Sequence, residues 1–197
     1  SSPAAARRTD ELADEECLLL LPPTIEDVQT LLAQESAEGD QAPATDPPAV
    51  PYAAQQVMLF TGTVRSNILF GSRYDATIYN RVLEACALQT DLATMPMDDF
   101  TEVAQGGATL SGGQRARIGL ARAAYRAALA LQECPNTRPL VLLDDPLCAL
   151  DRRVAREVIG ALFAPETGLL LPCAVVLATA DPWWLCLLAR GPQPSAA

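Results

Sequence analysis

Two short stretches of this sequence carry residue types that can do chemistry. The first, "TLSGGQRARIGLARAAYR" at residues 109–126, sets Leu110, Ser111, Gly112, Gly113 and Gln114 ahead of a helical pattern. A serine and two glycines at a helix start leave backbone N–H groups without intrahelical partners, and the helix dipole there favours an anion. Glycine also lets a phosphate approach the main chain with no side chain in the way. The chemistry is phosphate binding; the plainer alternative is an ordinary glycine-started helix. The second stretch, "PLVLLDDPLCALD" at residues 139–151, puts Asp144 and Asp145 at the end of an apolar run. Adjacent carboxylates in that position suit Mg²⁺, which keeps much of its water shell and takes one or two carboxylates plus phosphate oxygens. The alternative is a capped turn before Pro146.

These residues need elements to hold them. Behind the glycines, Ile118, Ala121, Tyr125 and Leu129 recur at helical spacing while Arg115, Arg122 and Arg126 point elsewhere, predicting an amphipathic helix that ends near Gln132, before the breakers of "ECPNTRP". Leu140 to Leu143 predicts a strand covered on both faces of a parallel sheet, with the two aspartates where open α/β sheets place ligands. Asp75 to Leu92 predicts one helix carrying Ile78, Val82, Ala85, Cys86 and Leu92. Val154 to Phe163 predicts another, and Ala174 to Thr179 another buried strand. The alternation is α/β. Leu169 to Leu188 is apolar apart from Asp181, but Pro172 and Pro182 disfavour a membrane helix, so two buried strands joined by a turn are expected. Thr24 to Glu35 has a short helical pattern inside an acidic, proline-containing leader at residues 1–49 that reads as poorly ordered.

Charge is unevenly placed. Residues 1–50 hold 11 acids and 2 arginines, which leaves a nearly neutral body of 13 acids and 12 arginines. Neither a nucleic-acid footprint nor a polybasic membrane patch is supported. All 14 basic residues are arginine and histidine is absent, so no step that needs a lysine or an imidazole can be run by this chain alone. The six cysteines form no C-x-x-C pair, and metal binding through them is not expected; reduced thiols in a cytosolic compartment fit better than a disulfide framework. At 197 residues and 50% hydrophobic, one domain with a full core is expected. The leader lacks the charged start and long apolar core of a signal peptide.

"LSGGQ" followed by "LVLLDDPLCALD" resembles the signature sequence, Walker B strand and D-loop of an ATP-binding cassette (ABC) domain. Upstream, "VPYAAQQVMLFTGTVRSNILFG" at residues 50–71 resembles the Q-loop region of ABC exporters. Its T-V-R-x-N-I-L-F-G run is similar to the multidrug-resistance-associated (C) subfamily. "VLEACAL" and "TEVAQGGATLSGGQRARIGLARAAY" resemble the first nucleotide-binding domain of that subfamily, especially its multidrug resistance-associated protein seven branch.

The resemblance implies an α/β, P-loop-NTPase-like ABC ATPase core, incomplete on its N-terminal side. It would span residues 50–191, with a helical subdomain at 75–108, a signature helix at 110–132, Walker B and D-loop at 140–151, a degenerate switch strand at 174–180 and a tail at 192–197. It also implies roles. Gln55 would be the Q-loop glutamine, touching Mg²⁺ or the attacking water. Leu110, Ser111, Gly112, Gly113 and Gln114 would face the γ-phosphate of an ATP held mainly by an opposing domain. Asp144 would be the Walker B aspartate at the Mg²⁺ shell, Asp145 would stand at the catalytic glutamate position, and Ala149, Leu150 and Asp151 would form the D-loop. The implied cofactors are ATP and Mg²⁺, and the implied partners are a second cassette domain with an intact Walker A loop and the transmembrane domains of an exporter, on the cytosolic face of a membrane.

The sequence departs from that family in instructive ways. The interval before the Q-loop contains no G-x-x-x-x-G-K-[S/T], Ala180 stands at the switch-histidine position, and Asp145 replaces glutamate. A degenerate or fragmentary cassette domain, nearly inactive alone, is therefore expected, and the first residue, Ser1, favours a fragment. The alternative is a non-catalytic regulatory or interaction module that pairs with an intact cassette. A DNA-associated cassette ATPase fits poorly, since the T-V-R-x-N-I-L-F-G run is present and long heptads are not.

Overall fold

A computed structural model of the chain describes residues 50–183 together with the backbone of one earlier strand, β1 (Cys17–Leu20). The helical pattern at Thr24 to Glu35, the rest of the leader and the tail lie outside the described residues.

The chain then runs through β2 (Tyr52–Ala53), β3 (Gly62–Thr63), α1 (Val64–Leu69), α2 (Ala76–Ala85), α3 (Gln89–Thr94), β4 (Glu102–Val103), α4 (Gly112–Glu133), β5 (Leu140–Asp144), α5 (Arg152–Phe163) and β6 (Ala174–Thr179). The main sheet has the order β1-β6-β5-β2. β5 pairs parallel with both β6 and β2, and β1 closes the β6 edge antiparallel. A small antiparallel pair, β3 with β4, lies beside α1. This is an α/β fold with a parallel sheet and flanking helices, consistent with an ABC ATPase core.

β5 and β6 form because their apolar runs are long enough to bury and contain no breaker. Their coverage is uneven. Val141, Leu143, Val175 and Leu177 are buried, whereas Leu142, Val176 and Ala178, on the opposite face, are only half-buried. The expectation of a strand covered on both faces thus holds fully for one face. Of the stretch after Leu169, the described residues make a turn and one strand, β6, followed by helical Pro182 and Trp183; the remainder of the expected strand pair, residues 184–188, lies outside the described residues. No helix among the described residues is long and apolar enough to cross a membrane.

The helix expected over Asp75 to Leu92 is in fact two. Asp75 caps α2 by accepting from Ile78 N at 3.0 Å. At its far end Ala87 turns left-handed (φ 51°), Ala87 N donates to Glu84 O and Leu88 N to Leu83 O, both at 2.9 Å, which closes the helix. Glycine usually takes that position; an alanine left no mark in the periodicity. Leu83 and Leu88 are buried beside the turn, giving the break its apolar contact.

α4 begins and ends within a residue or two of expectation, and it is the central element. Its stripe Ile118, Ala121, Tyr125 and Leu129 is buried, as the periodicity predicts. The helix packs on α1, α2, β2 and β5. Its arginines are not free on the surface, however: Arg122 donates to the carbonyls of Met58 and Asn67, and Arg115 to those of Leu110 and Gly107.

Candidate functional site at the strand ends and the tip of α4

Hydrogen bonds gather residues from four segments at the carboxyl ends of the parallel strands. Asp144 ends β5, is exposed, and accepts from the Tyr52 hydroxyl at 3.3 Å through Oδ2. Asp145 continues the line of the sheet by donating its N–H to Ala178 O at 2.8 Å, then turns left-handed (φ 40°). That conformation costs a side-chain-bearing residue of order 1 kcal/mol, although aspartate tolerates it better than most. The Thr179 hydroxyl donates to Asp145 Oδ1 at 3.1 Å and Gln55 Nε2 to its Oδ2 at 3.4 Å. Gln55 and Asp145 are thus brought together, and Gln55 faces Asp145 rather than Asp144.

Partial burial, and after it the adjacent carboxylates, raise the ionisation range of two neighbours. Tyr52 is shifted upward by partial burial and by Asp144, and the Cys148 thiol by partial burial and by Asp145. Among the described residues, no three His, Cys, Asp or Glu side chains gather as an all-protein metal cage. Magnesium does not need one: one or two carboxylates with oxygen neighbours and phosphate suffice. The donors here are all hard oxygens or amides, and they fit Mg²⁺ chemically.

The second half of the site is the tip of α4. Ser111 is exposed and caps the helix: its Oγ accepts from Gln114 N at 3.1 Å, while its own N–H donates to Gln114 Oε1 at 2.9 Å. Gly112 and Gly113 follow in the first turn, where a helix supplies their N–H groups with no carbonyl. The segment after β5 lies against this tip, for a Cβ on Gly113 would sit 3.4 Å from Ala149 O and 3.5 Å from Leu150 Cδ2. Asp151 caps α5 by accepting from Arg153 N and Val154 N, each at 3.0 Å, and the Val154 N–H is the main reason its carboxyl ionises below the usual range. Leu110 turns its side chain into the core and offers its carbonyl to Arg115.

An amide-lined tip fits one side of a phosphate group. With no lysine in the chain, nothing here resembles the cationic clamp of a complete triphosphate site.

Four supporting residues went unread in the sequence. Tyr52 and Thr179 sit at the ends of β2 and β6, and only the sheet register shows that they converge on the aspartates. Asp91 and Arg117 form an ion pair at 2.6 Å beneath the Ser111 turn, with side chains 16% and 12% exposed. The R-A-R spacing after Gln114 was the available signal for Arg117; Asp91 carried none.

No protein-family model matches the chain. It is 45% identical over 125 residues to the vacuolar heme ABC transmembrane exporter abc3 of Schizosaccharomyces pombe, a match that covers 64% of this chain and 8% of that protein. It is 50% identical over 107 residues to ATP-binding cassette sub-family C member 10 of Mus musculus, covering 54% of this chain and 6% of the relative. The metal resistance protein YCF1 of Saccharomyces cerevisiae is 46% identical over 131 residues, covering 66% and 8%. The chain therefore spans less than a tenth of the length of these relatives. Homologues of this chain are ABC sub-family C transporters, and together with the α/β architecture they support reading it as part of an ABC C-type domain.

Proposed function

We propose that residues 50–191 are a partial, degenerate nucleotide-binding domain of a multidrug-resistance-associated exporter, of the protein seven branch, standing at the cytosolic face of a membrane. In this reading the chain supplies the signature face of a composite ATP site, and a second cassette domain with an intact Walker A loop supplies the phosphate cradle. The observation that carries it is the exposed, capped tip of α4 seated against Ala149 and Leu150, with two carboxylates at the ends of parallel strands.

The roles follow from donor chemistry. Ser111, Gly112 and Gly113 present hydrogen-bond donors to a terminal phosphate. Asp144 would hold Mg²⁺, which when bound neutralises phosphate charge. Asp145, steadied by Thr179 and Gln55, stands where a carboxylate accepts a proton from water, and Gln55 can orient that water. Asp151 holds α5 behind the tip.

Alone, the chain falls short. A charge-assisted hydrogen bond contributes about 1.5–3 kcal/mol net, while association first costs roughly 4–15 kcal/mol of lost freedom. A few tip contacts barely offset that, and each missing transition-state donor typically lowers turnover by about 10²- to 10³-fold. The test is to mix the full chain with an isolated cassette domain that retains its P-loop lysine. ATP-dependent co-elution that is lost on Ser111→Arg is the expected result. Micromolar ATP affinity of the chain by itself, or pairing indifferent to both ATP and Ser111→Arg, would overturn the proposal.

A further inference from the structure

Gln114 is the one polar side chain of the tip whose two ends are both occupied. Its Oε1 accepts from Ser111 N at 2.9 Å and its Nε2 donates to Asp91 Oδ1 at 3.0 Å. Asp91 is fixed in turn by Arg117, whose Nη1 donates to Asp91 Oδ2 at 2.6 Å and also to the Ala87 carbonyl. A side-chain amide has two orientations that differ only by exchanging donor and acceptor. A carboxylate accepts and never donates, so Asp91 can hold the Nε2 end alone, and the Oε1 end is left for Ser111 N–H. In the opposite orientation an NH₂ group would face an N–H, and the Ser111 N–H half of the cap would be lost, leaving only the bond from Gln114 N to Ser111 Oγ.

We infer that Asp91 is a positioning residue of the α4 tip: by choosing the amide orientation of Gln114 it commits Ser111 N–H to the cap and leaves the Ser111 hydroxyl and the Gly112 and Gly113 N–H groups as the phosphate-facing donors. Gln114 is then a strut and not a nucleotide contact, which narrows the role given to it by family resemblance. The functional half of this inference rests on the signature-face reading; the orientation half does not.

The orientation is tested without nucleotide, on the ¹⁵N-labelled full chain, by amide hydrogen exchange at Ser111. Asp91→Asn gives Gln114 a partner that accepts either orientation, and exchange at Ser111 is expected to rise about tenfold, the loss of one hydrogen bond. Combining Asp91→Asn with Gln114→Glu should restore slow exchange, because the carboxylate introduced at position 114 has an acceptor at both ends: one for the side-chain amide introduced at position 91, one for Ser111 N–H. A merely structural role for Asp91 as the counter-charge of Arg117 predicts no such rescue. Unchanged exchange in the single variant, or failure of the double variant to restore it, overturns the inference. If Asp91→Asn does not fold, Gln114→Ala, which leaves the Asp91–Arg117 pair intact, must raise Ser111 exchange by the same factor, and an unchanged rate overturns it equally.

A second readout separates the two readings. In the ATP-dependent pairing assay the single variant should weaken the ATP response about tenfold and the double variant recover it. Exchange that behaves as expected while pairing is unaffected would refute the signature-face reading and leave Asp91 as the orienting residue.

Discussion

The Thr179 hydroxyl donates to Asp145 Oδ1 at 3.1 Å, tying the end of β6 to the left-handed residue that follows β5. Thr179 is nearly buried, and its oxygen also accepts from Asp181 N at 3.3 Å. One hydroxyl therefore fixes both the carboxylate and the turn that leaves β6. Thr179→Val keeps the shape and removes the bonds, and should cost about 1–2 kcal/mol in urea denaturation. In an Asp145→Gly background, where the carboxylate is gone and the positive φ is unstrained, the same substitution should cost measurably less. Equal losses in the two backgrounds would show that Thr179 acts independently of Asp145.

Asn67 does comparable work deeper in the fold. It is fully buried; its Oδ1 accepts from Phe60 N at 3.0 Å, and its Nδ2 donates to the carbonyls of Phe60 and Thr63, each at 3.0 Å. It thus clips the loop after Gln55 onto α1. Asn67→Ala orphans the Phe60 N–H and carbonyl, while Thr63 O keeps the Ser66 hydroxyl, and the loss is expected to cost about 2–3 kcal/mol. Asn67→Asp should be no rescue, because a carboxylate cannot donate to Phe60 O or Thr63 O. Chemical denaturation of both variants decides this, and an aspartate variant as stable as the parent would exclude the clip.

Alkaline pH should destabilise the domain through groups that are buried neutral. Burial pushes the Cys86 thiol from 9.0 up to about 12, against a small opposing pull from Arg117. Burial, helped by Asp99, likewise pushes the Tyr79 phenol upward. For such groups the folded value lies above the unfolded one. Their contribution is complete below the unfolded pKa and is lost as pH rises through the folded pKa. For Cys86 that window runs from 9.0 to about 12. Across most of it the unfolded chain binds one proton fewer, so stability should fall by up to about 1.4 kcal/mol per pH unit on this account alone. Cys86→Ala should flatten the profile by that one proton. Parallel profiles for parent and variant would remove Cys86 as a contributor.

What the sequence revealed and what it hid follow from how local each signal is. α4 was legible because Ser111, the two glycines and Gln114 announce a cap within four residues, and because its apolar stripe repeats over several turns. β5 and β6 were legible as unbroken apolar runs. The break at Ala87 was not, because its left-handed residue is an alanine stabilised by an Arg117 bond from 30 residues away. The support beneath the tip was equally hidden: Asp91 and Arg117 stand 26 residues apart, and an ion pair of that separation has no periodicity. The two aspartates could be read as strand-end acids, but their partners Tyr52 and Thr179 depend on parallel register, which a single chain does not spell out.

Gly119, in the middle of α4, shows how tightly the helix holds the Gln55 segment. A Cβ there would lie 2.5 Å from Val57 Cγ2 and 3.2 Å from Val57 Cβ. Two opposed effects act on Gly119→Ala. Helix propensity favours alanine by about 1 kcal/mol, whereas overpacking of this kind typically costs about 1–3 kcal/mol. Val57 Cγ1 would lie 2.7 Å away as well, and every rotamer of Val57 leaves a γ carbon in at least one of the two clashing positions, so overpacking should prevail and the single variant should be less stable. Val57→Ala removes both γ carbons from the clash, and in that background Gly119→Ala should become stabilising by up to about 1 kcal/mol. The sign reversal is the measurement, made by denaturation of the four variants of the cycle. Because Val57 is two residues beyond Gln55, the overpacked variant should also shift the side-chain amide resonance of Gln55, and the double variant should return it. A Gly119→Ala substitution of the same sign in both backgrounds would mean that α4 does not set the position of this segment through Val57.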